Sequence, residues 1–214
     1  MIKKVNWIKN NIFFAITLFL LAFIPLYPKI PIVNINHTWV YIRVEDFTIA
    51  LVMLLWVTLL LLKKITLKTP LTLPIIIFWI IGGISTLHGV LLVFPTLADV
   101  FSNVAFLSYL RRIEYLSLFF IAFLSIKDKK FITHLAVFLP IVLIAITVYG
   151  IGQRYLGFPA FLTMNEEFAK GIPIQLSRFS RVPSTFGGHY DLAAYLVLVI
   201  PLISSLIFGF KNME

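Results

Sequence analysis

The segment between Arg178 and Asp191 carries the residue types best suited to binding an anion. Two arginines stand three residues apart, and a glycine pair and a histidine precede a long apolar run. Guanidinium groups match phosphate oxygens with forked donors, and the N–H groups at a helix N-terminus attract negative charge. Glycine also allows a ligand to approach the backbone closely. The segment therefore predicts an oxyanion site whose candidate residues are Arg178, Arg181, Gly187, Gly188, His189 and Asp191.

The same residues have a plainer interpretation, in which none of them binds a specific ligand. Asp191 then only compensates the dipole of the following helix, and His189 lies in the lipid headgroup region. The arginines then contact lipid phosphates without selectivity. Residue type and spacing favour neither interpretation over the other.

A second charged group precedes the apolar run from Tyr115 to Ile126. That run holds 12 residues, about 18 Å of helix, which is too short to cross a membrane. The helix must therefore extend back through Arg111, Arg112 and Glu114. These charges either anchor the helix at the outer membrane boundary, which is the simpler reading, or face a cavity inside the bundle and mark a site.

Several kinds of chemistry are excluded or unsupported by the sequence. The chain has no cysteine, which removes thiol catalysis, thiolate metal sites and disulfides. No His, Asp or Glu cluster has metal-ligand spacing, and phosphate-loop and serine-hydrolase motifs are absent. We therefore expect no metal and no other cofactor. The net charge of +9 comes from basic residues scattered between apolar segments, so we expect a lipid bilayer as the partner, and no nucleic acid.

The elements that must position these residues are membrane helices. Hydrophobic residues make up 60% of the 214 residues and charged residues 13%, against roughly 45–50% and 25% in soluble proteins. This composition predicts an all-α fold, a polytopic transmembrane bundle forming a single membrane domain over residues 1–214. Apolar segments predict about six spans, near residues 12–27, 47–62, 73–94, 105–126, 131–151 and 190–210.

One long polar loop, residues 152–185, separates the last two predicted spans. Thr163 and Glu166 have the spacing of a capping box, which predicts a short interfacial helix near residues 163–170. A plain surface loop is the alternative.

Basic residues in the short loops predict the orientation of the bundle. With a cytoplasmic N-terminus, ten basic residues lie inside: Lys3, Lys4, Lys9, Lys63, Lys64, Lys68, Lys127, Lys129, Lys130 and Lys211. Four lie in short outer loops: Lys29, Arg43, Arg111 and Arg112. Both termini are therefore predicted to be cytoplasmic, with the polar loop outside.

Four stretches of the chain resemble the O-antigen ligase/O-antigen polymerase superfamily. The run from Arg181 to Pro201 is similar to its signature, in which an arginine and a polar turn lead into an Ala-rich helix ending in Leu-Pro. The Tyr-Gly-Ile-Gly-Gln stretch ending at Gln153 is similar to the end of the helix before the family's outer loop. The stretches 43–46 and 111–115 also fit the family's pattern.

The resemblance implies a glycosyltransferase of the bacterial inner membrane, active in cell-surface polysaccharide or lipopolysaccharide biosynthesis. Such enzymes transfer a glycan from an undecaprenyl-pyrophosphate carrier to an acceptor glycan on the outer face, without a metal. Arg181 matches an arginine that holds the pyrophosphate, Arg178 assists it, and Gln153 is a secondary candidate. The family's catalytic histidine lies in a later outer loop, so His189 does not take that role. A typical member has ten or more spans, and we expect this chain to be an N-terminal portion, inactive alone.

Two alternatives stand beside glycan transfer. An anion transporter of the same superfamily, for example for bicarbonate, could use the same arginine and helix terminus, with helix breaks at Pro140 and at Gly82-Gly83. A non-catalytic membrane scaffold is the third possibility, and it predicts that replacing Arg181 leaves function unchanged.

Overall fold

The computed structural model describes residues 11–38, 41–97 and 100–210. Lys3, Lys4, Lys9 and Lys211, which contribute to the predicted orientation, lie outside these ranges. The described chain is mostly helical, which confirms the helical fold class. Its six α-helices are α1 (Ile12–Leu26), α2 (Val44–Leu61), α3 (Thr72–His88), α4 (Ser102–Ser125), α5 (Lys129–Tyr155) and α6 (His189–Phe210).

Four of the helical segments are long and apolar enough to cross a membrane: Val44–Leu61, Thr72–Thr96, Lys129–Tyr155 and His189–Leu206. The second of these is α3 continued by a π-helical turn, Gly89–Val93, and a 3-10 turn, Phe94–Thr96. Helix α1 is shorter, with 15 residues, and α4 carries three charges in its middle turns. Four such helices indicate a multi-pass membrane protein.

Helix α1 lies at the centre of the bundle, packed against α4 on one side and α5 on the other. One core cluster joins it to α2, α3 and α4 through Leu20, Ile49, Val52, Trp56, Ile75, Phe120 and Ile121. A second cluster contains Val142 and Ile146 of α5 and Phe186 of the following loop, with Leu26 of α1 packed against it. Burial of these side chains holds α1 between the two halves of the bundle.

The helix breaks that a transporter would need are not found at the expected positions. Helix α5 runs through Pro140, and α3 runs through Gly82 and Gly83. The glycine pair instead admits the ring of Tyr109 from α4, whose Cε2 lies 3.3 Å from where a Cβ on Gly82 would stand. The Tyr109 hydroxyl donates to the Trp79 carbonyl oxygen at 2.7 Å. These glycines therefore serve close helix packing.

Contacts between distant segments define two ends of the bundle. A Cβ on Gly171 would lie 2.6 Å from Cδ of Pro31, so the long loop packs on the segment after α1. At the other end, the rings of Phe14 and Phe131 lie 4.6 Å apart, so the starts of α1 and α5 meet. We call the end that carries the long loop the loop end.

A small antiparallel hairpin occupies the loop end, where the sequence predicted only a connection. Its strands are β1 (Pro31–Val33) and β2 (Ile42–Arg43), with Pro31 opposite Arg43 and Val33 opposite Ile42. The pairing satisfies backbone polar groups in a connection that lies against apolar helices.

The predicted interfacial helix near residues 163–170 is wrong in extent, because only one 3-10 turn forms, Phe168–Lys170. The Thr163 N–H donates to the Gly187 carbonyl oxygen at 2.8 Å, which ties Thr163 to a distant segment in place of a helix start. The Asn165 side chain accepts a hydrogen bond from the Phe168 N–H at 3.0 Å. Gly171, with φ of 77°, ends the turn.

A buried ion pair fastens the end of α1 to the start of α2. The Lys29 ammonium donates to Glu45 and also to the Ile24 carbonyl oxygen at 2.8 Å. Arg43 Nη1 donates to the other oxygen of Glu45 at 3.1 Å. Burial lowers the pKa of Lys29 below its ordinary value, and the negative charge of Glu45 opposes that shift.

Replacing Glu45 and replacing Lys29 should lower the stability of the protein by different amounts. We expect Glu45→Gln to destabilise the protein more than Lys29→Met, because it leaves a buried ammonium without a carboxylate, whereas Glu45 keeps Arg43. Breaking a buried pair typically costs about 3–5 kcal/mol. Thermal unfolding in detergent micelles measures both variants.

The pH dependence of Glu45→Gln provides a second readout. Without the carboxylate, the folded-state pKa of Lys29 stays below the ordinary 10.5, so the unfolded chain binds more protons between the two values. Stability of the variant should therefore rise with pH in that window. Two results would contradict the buried ion pair. One is a Lys29→Met variant as unstable as Glu45→Gln, and the other is a stability of Glu45→Gln that does not change with pH in that window.

Candidate functional site

Residues 183–188 enter the bundle at the loop end and are all buried; we call them the buried segment. The Ser184 hydroxyl donates to the Ile146 carbonyl oxygen at 2.7 Å. The Thr185 hydroxyl donates to the carbonyl oxygen of Pro25 in α1. Ile146 lies nine residues before the end of α5, about 13 Å along the helix. The segment is therefore tied to α5 well below the end of that helix, and to α1 at its last turn.

Phe186 completes the insertion of the buried segment. Its side chain is 9% exposed and packs in the cluster with Val142 and Ile146. Its ring centroid also lies 5.2 Å from that of Tyr195 in α6. One aromatic side chain thus joins the loop to α5 and α6, and its burial fixes the position of the residues on either side.

Gln153 supports the buried segment from α5 and does not face solvent. Its side chain is 2% exposed, and its Nε2 donates to the Ser184 carbonyl oxygen at 2.8 Å and to the Pro159 carbonyl oxygen at 3.1 Å. Ser184 has a positive φ of 54°, a conformation that costs energy in a residue with a side chain. Gln153 is therefore placed to hold the segment's backbone, a positioning role in place of the predicted anion contact.

The glycine pair is packed against the protein's own loop, which corrects the expectation that it admits a ligand. A Cβ on Gly187 would lie 2.3 Å from Oγ1 of Thr163. A Cβ on Gly188 would lie 3.2 Å from Cγ of Met164. The close approach that glycine permits is thus made by residues 163–164.

Arg181 and His189 flank the buried segment and contact each other. Arg181 is exposed, and its Nη1 lies 2.9 Å from Nε2 of the half-buried His189. Because a guanidinium only donates, Nε2 of His189 is the acceptor in this contact. The contact uses one of the five N–H donors of the guanidinium. It also fixes the orientation of the exposed Arg181 head group relative to His189.

Two further arginines border the same rim. Arg154 Nη1, at the end of α5, donates to the Ser177 carbonyl oxygen at 3.3 Å. The tight turn that begins at Ser177 carries Arg178, which is exposed, and Phe179, which is 93% exposed. The predicted Arg178 thus lies on a turn tied to α5. An exposed aromatic beside basic side chains is typical of a membrane–water boundary.

Asp191 stands in the first turn of α6 and is exposed. Its carboxylate lies near Gly188, 3.7 Å from where a Cβ would stand. Its charge also acts on Lys29, whose pKa it raises slightly against the effect of burial. Asp191 is placed to compensate the dipole of its own helix.

An apolar cleft of ≈ 320 Å³ lies between α5 and α6, directly beside this rim. The buried segment and the residue before it form one wall through Ser184 and Val182. The other lining residues are Ile146, Thr147, Gly150, Ile151, Arg154, Tyr155, Leu192 and Leu196. The arrangement places basic side chains next to an apolar recess.

The secondary candidates of α4 lie in a different place, against the start of α2. Arg111 Nη2 lies 3.5 Å from an Asp46 carboxylate oxygen. Arg111 and Glu114 line a cavity, whereas Arg112 is exposed. The structure thus favours the cavity-facing interpretation for two of the three charges, and Arg111 contacts Asp46.

Two functional features escaped the sequence reasoning. The sequence places Lys29 in a short outer loop and gives no sign of its buried pairing with Glu45. Nothing in the sequence distinguishes Phe186 from the rest of the 21 phenylalanines. Within residues 11–38, 41–97 and 100–210, no group of three His, Asp or Glu side chains is placed to hold a metal ion.

Comparisons of the chain with protein-family models, curated proteins and solved structures found no match. Its class follows from its helices, which are those of a multi-pass membrane protein. Any finer function has to be argued from the side chains at the loop end.

The contact between Gly187 and Thr163 makes a specific prediction about stability. Gly187→Ala should lower the unfolding temperature, because a methyl group meets Thr163 Oγ1, and overpacking typically costs about 1–3 kcal/mol. Adding Thr163→Ala should restore part of the loss, since it removes that oxygen. Gly89→Ala is the matched control, because its Cβ would lie at an ordinary 3.7 Å from Phe94.

Thermal unfolding of the single and double variants in detergent measures this coupling. Additive effects of the two substitutions, or an equal loss in the Gly89 control, would show that the loop does not pack on the glycine pair.

Proposed function

We propose that this protein takes part in transferring a glycan from an undecaprenyl-pyrophosphate carrier to an acceptor sugar, at the outer face of the bacterial inner membrane. The resemblance to the O-antigen ligase/O-antigen polymerase superfamily motivates the proposal. The observation that carries it is the exposed Arg181, in contact with His189 and adjacent in sequence to Val182, which lines an apolar cleft together with Arg154. A basic rim beside an apolar recess suits a lipid with a phosphorylated head.

The head of the carrier would meet the guanidinium of Arg181. Because His189 takes one donor, the remaining forked donors are oriented for phosphate oxygens. Arg178 stands on the neighbouring turn, within the same basic rim. His189 contacts Arg181 and acts as a positioning residue.

The polyprenyl chain of the carrier would enter the cleft between α5 and α6. The cleft's volume of ≈ 320 Å³ accepts a short stretch of chain, near the lower limit of typical ligand sites. Leu192 and Leu196 of α6 offer the apolar wall. The rest of the chain would lie against the exposed apolar faces of α5 and α6 in the bilayer.

In the transfer, the bond between the sugar's anomeric carbon and the pyrophosphate oxygen breaks, and the acceptor hydroxyl oxygen forms the new bond. Undecaprenyl pyrophosphate leaves with the bonding electron pair, and the acceptor's proton passes to a base. Arg181 stabilises the negative charge that develops on the leaving oxygens. No residue of the described chain is assigned as that base.

The proposal includes a topology in which all six helices cross the membrane and the loop end faces outward. Helix α1, with 15 residues, is about 22 Å long and can span if flanking side chains reach the interface. Two of the three charges of α4 are tolerated because Arg111 and Glu114 face a protein cavity and not lipid. The third, on the exposed Arg112, would extend along its long side chain toward the interface. Both termini are then cytoplasmic.

Two observations favour glycan transfer over the alternative of anion transport. Helices α3 and α5 continue through the glycines and the proline where breaks were expected. The charged contacts lie at the loop end, whereas alternating access places its ion site near the midplane between two repeats.

Binding of the carrier by the chain itself tests the proposal. In lipid nanodiscs, undecaprenyl pyrophosphate should bind at least about tenfold more weakly to Arg181→Ala than to the unchanged chain, because a hydrogen bond to a charged group contributes about 1.5–3 kcal/mol. Native mass spectrometry measures the bound fraction. Arg112→Ala removes an equally exposed arginine of α4 and is the control, with an expected change below about twofold.

Undecaprenol has the same polyprenyl chain as the carrier but no phosphates. Comparing its binding with that of undecaprenyl pyrophosphate distinguishes recognition of the head group from recognition of the chain. The proposal fails if undecaprenol binds as tightly as the pyrophosphate, or if the two arginine variants lose affinity equally. The scaffold alternative predicts no effect of Arg181→Ala at all.

A further inference from the structure

A second recess, the α2–α4 groove, lies apart from the cleft between α5 and α6. Its volume of ≈ 550 Å³ falls within the range of small-molecule sites. Residues of the hairpin region close its outer end: Ile35, Thr38 and Ile42. Helix α2 contributes Asp46, Phe47, Ala50 and Met53, and α4 contributes Val104, Leu107, Ser108, Leu110, Arg111, Ile113 and Glu114.

The walls of the groove combine a long apolar face with a compact polar group. On α2, residues 46, 47, 50 and 53 follow helical spacing and lie on one face. Below Asp46 that face is apolar, formed by Phe47, Ala50 and Met53. The polar side chains of α4 are Ser108, Arg111 and Glu114. Such a recess fits an amphiphile whose chain follows α2 and whose head meets the polar group.

The polar group is richer in acceptors than in positive charge. Asp46 accepts from the Arg43 N–H at 2.9 Å and from Arg111 at 3.5 Å. Oε1 of Glu114 is enclosed and accepts no hydrogen bond from the part of the chain that the structure describes. An enclosed carboxyl oxygen without a donor is costly, and a turn of the Glu114 side chain toward the groove it lines would let a ligand hydroxyl satisfy it.

The charged side chains that line the groove determine which lipid head groups can bind there. The guanidinium that lines the groove, that of Arg111, is already paired with Asp46, so a phosphate would find no free positive charge there and would meet carboxyl groups instead. Sugar hydroxyls, in contrast, donate to carboxylates and accept from arginine. An uncharged hydroxylated head is therefore the chemistry that complements this groove.

We propose that the α2–α4 groove binds an uncharged glycolipid, with sugar hydroxyls on Glu114 and Asp46 and the lipid chain along Phe47, Ala50 and Met53. Its role as an acceptor site rests on the proposed function, but its binding chemistry does not. The groove then differs from the basic rim at Arg181, which takes a phosphorylated head. The two lipids of one transfer reaction would be distinguished by head charge at separate places.

Photolabelling with two matched probes tests the assignment. Dodecyl glucoside and dodecyl phosphate, each with a diazirine in the same position of the chain, are added to the full chain in nanodiscs. Labelled peptides are mapped by mass spectrometry. We expect the glucoside to label the groove-facing residues of α2 and α4 at least about fivefold more than the phosphate does.

Filling the groove provides the specificity control. Ala50→Trp should abolish the selective labelling, whereas Leu51→Trp, one residue along α2 and outside the groove lining, should leave it unchanged. Leu107→Trp fills the groove from α4 and serves if the first variant does not fold. Glu114→Ala should lower glucoside labelling and should not lower phosphate labelling.

Three outcomes overturn the proposal: equal labelling of the groove by both probes, labelling that survives both groove-filling variants, or the same loss in Leu51→Trp. Failure here with an intact effect of Arg181→Ala on carrier binding removes only the groove assignment. Selective labelling without any effect of Arg181→Ala removes only the proposed glycan transfer.

Discussion

The insertion of residues 183–188 between α1 and α5 is the constraint on which the rest of the loop end depends. Two hydroxyl groups, of Ser184 and Thr185, donate to helix carbonyl oxygens of Ile146 and Pro25. These bonds satisfy polar groups in an apolar bundle, where leaving them unpaired would be costly. With Phe186 buried beside them, the segment fixes both the entry of α6 and the rim that carries Arg181.

From this constraint, the separation of charges at the loop end follows. Arg181 is held at the exposed end of the buried segment, where positive charge is available to a ligand. Lys29 and Glu45 are instead buried as a pair that fastens α1 to α2. Charged residues that looked alike in the sequence thus divide into a buried structural pair, an exposed basic rim and a mixed group lining a groove.

The sequence was sufficient for the helices because apolar runs of about 20 residues have few other solutions. It was insufficient for the long loop, because its structure depends on distant partners. The capping pattern at Thr163 does not begin a helix, because the Thr163 N–H donates to the Gly187 carbonyl oxygen, and the glycine pair packs on that loop. Gln153 was a candidate by resemblance, but only the fold shows that it faces Ser184.

The depth of the buried segment can be measured directly, because the chain has no cysteine. A Cβ on Gly150 of α5 would lie 3.6 Å from Cβ of Ser184, within the range for a disulfide. The double variant Gly150→Cys, Ser184→Cys should therefore form an intramolecular disulfide on mild oxidation in membranes, detected by mass spectrometry of the joined peptides. Two free thiols after oxidation in the folded protein would contradict the insertion and, with it, the placement of Arg181.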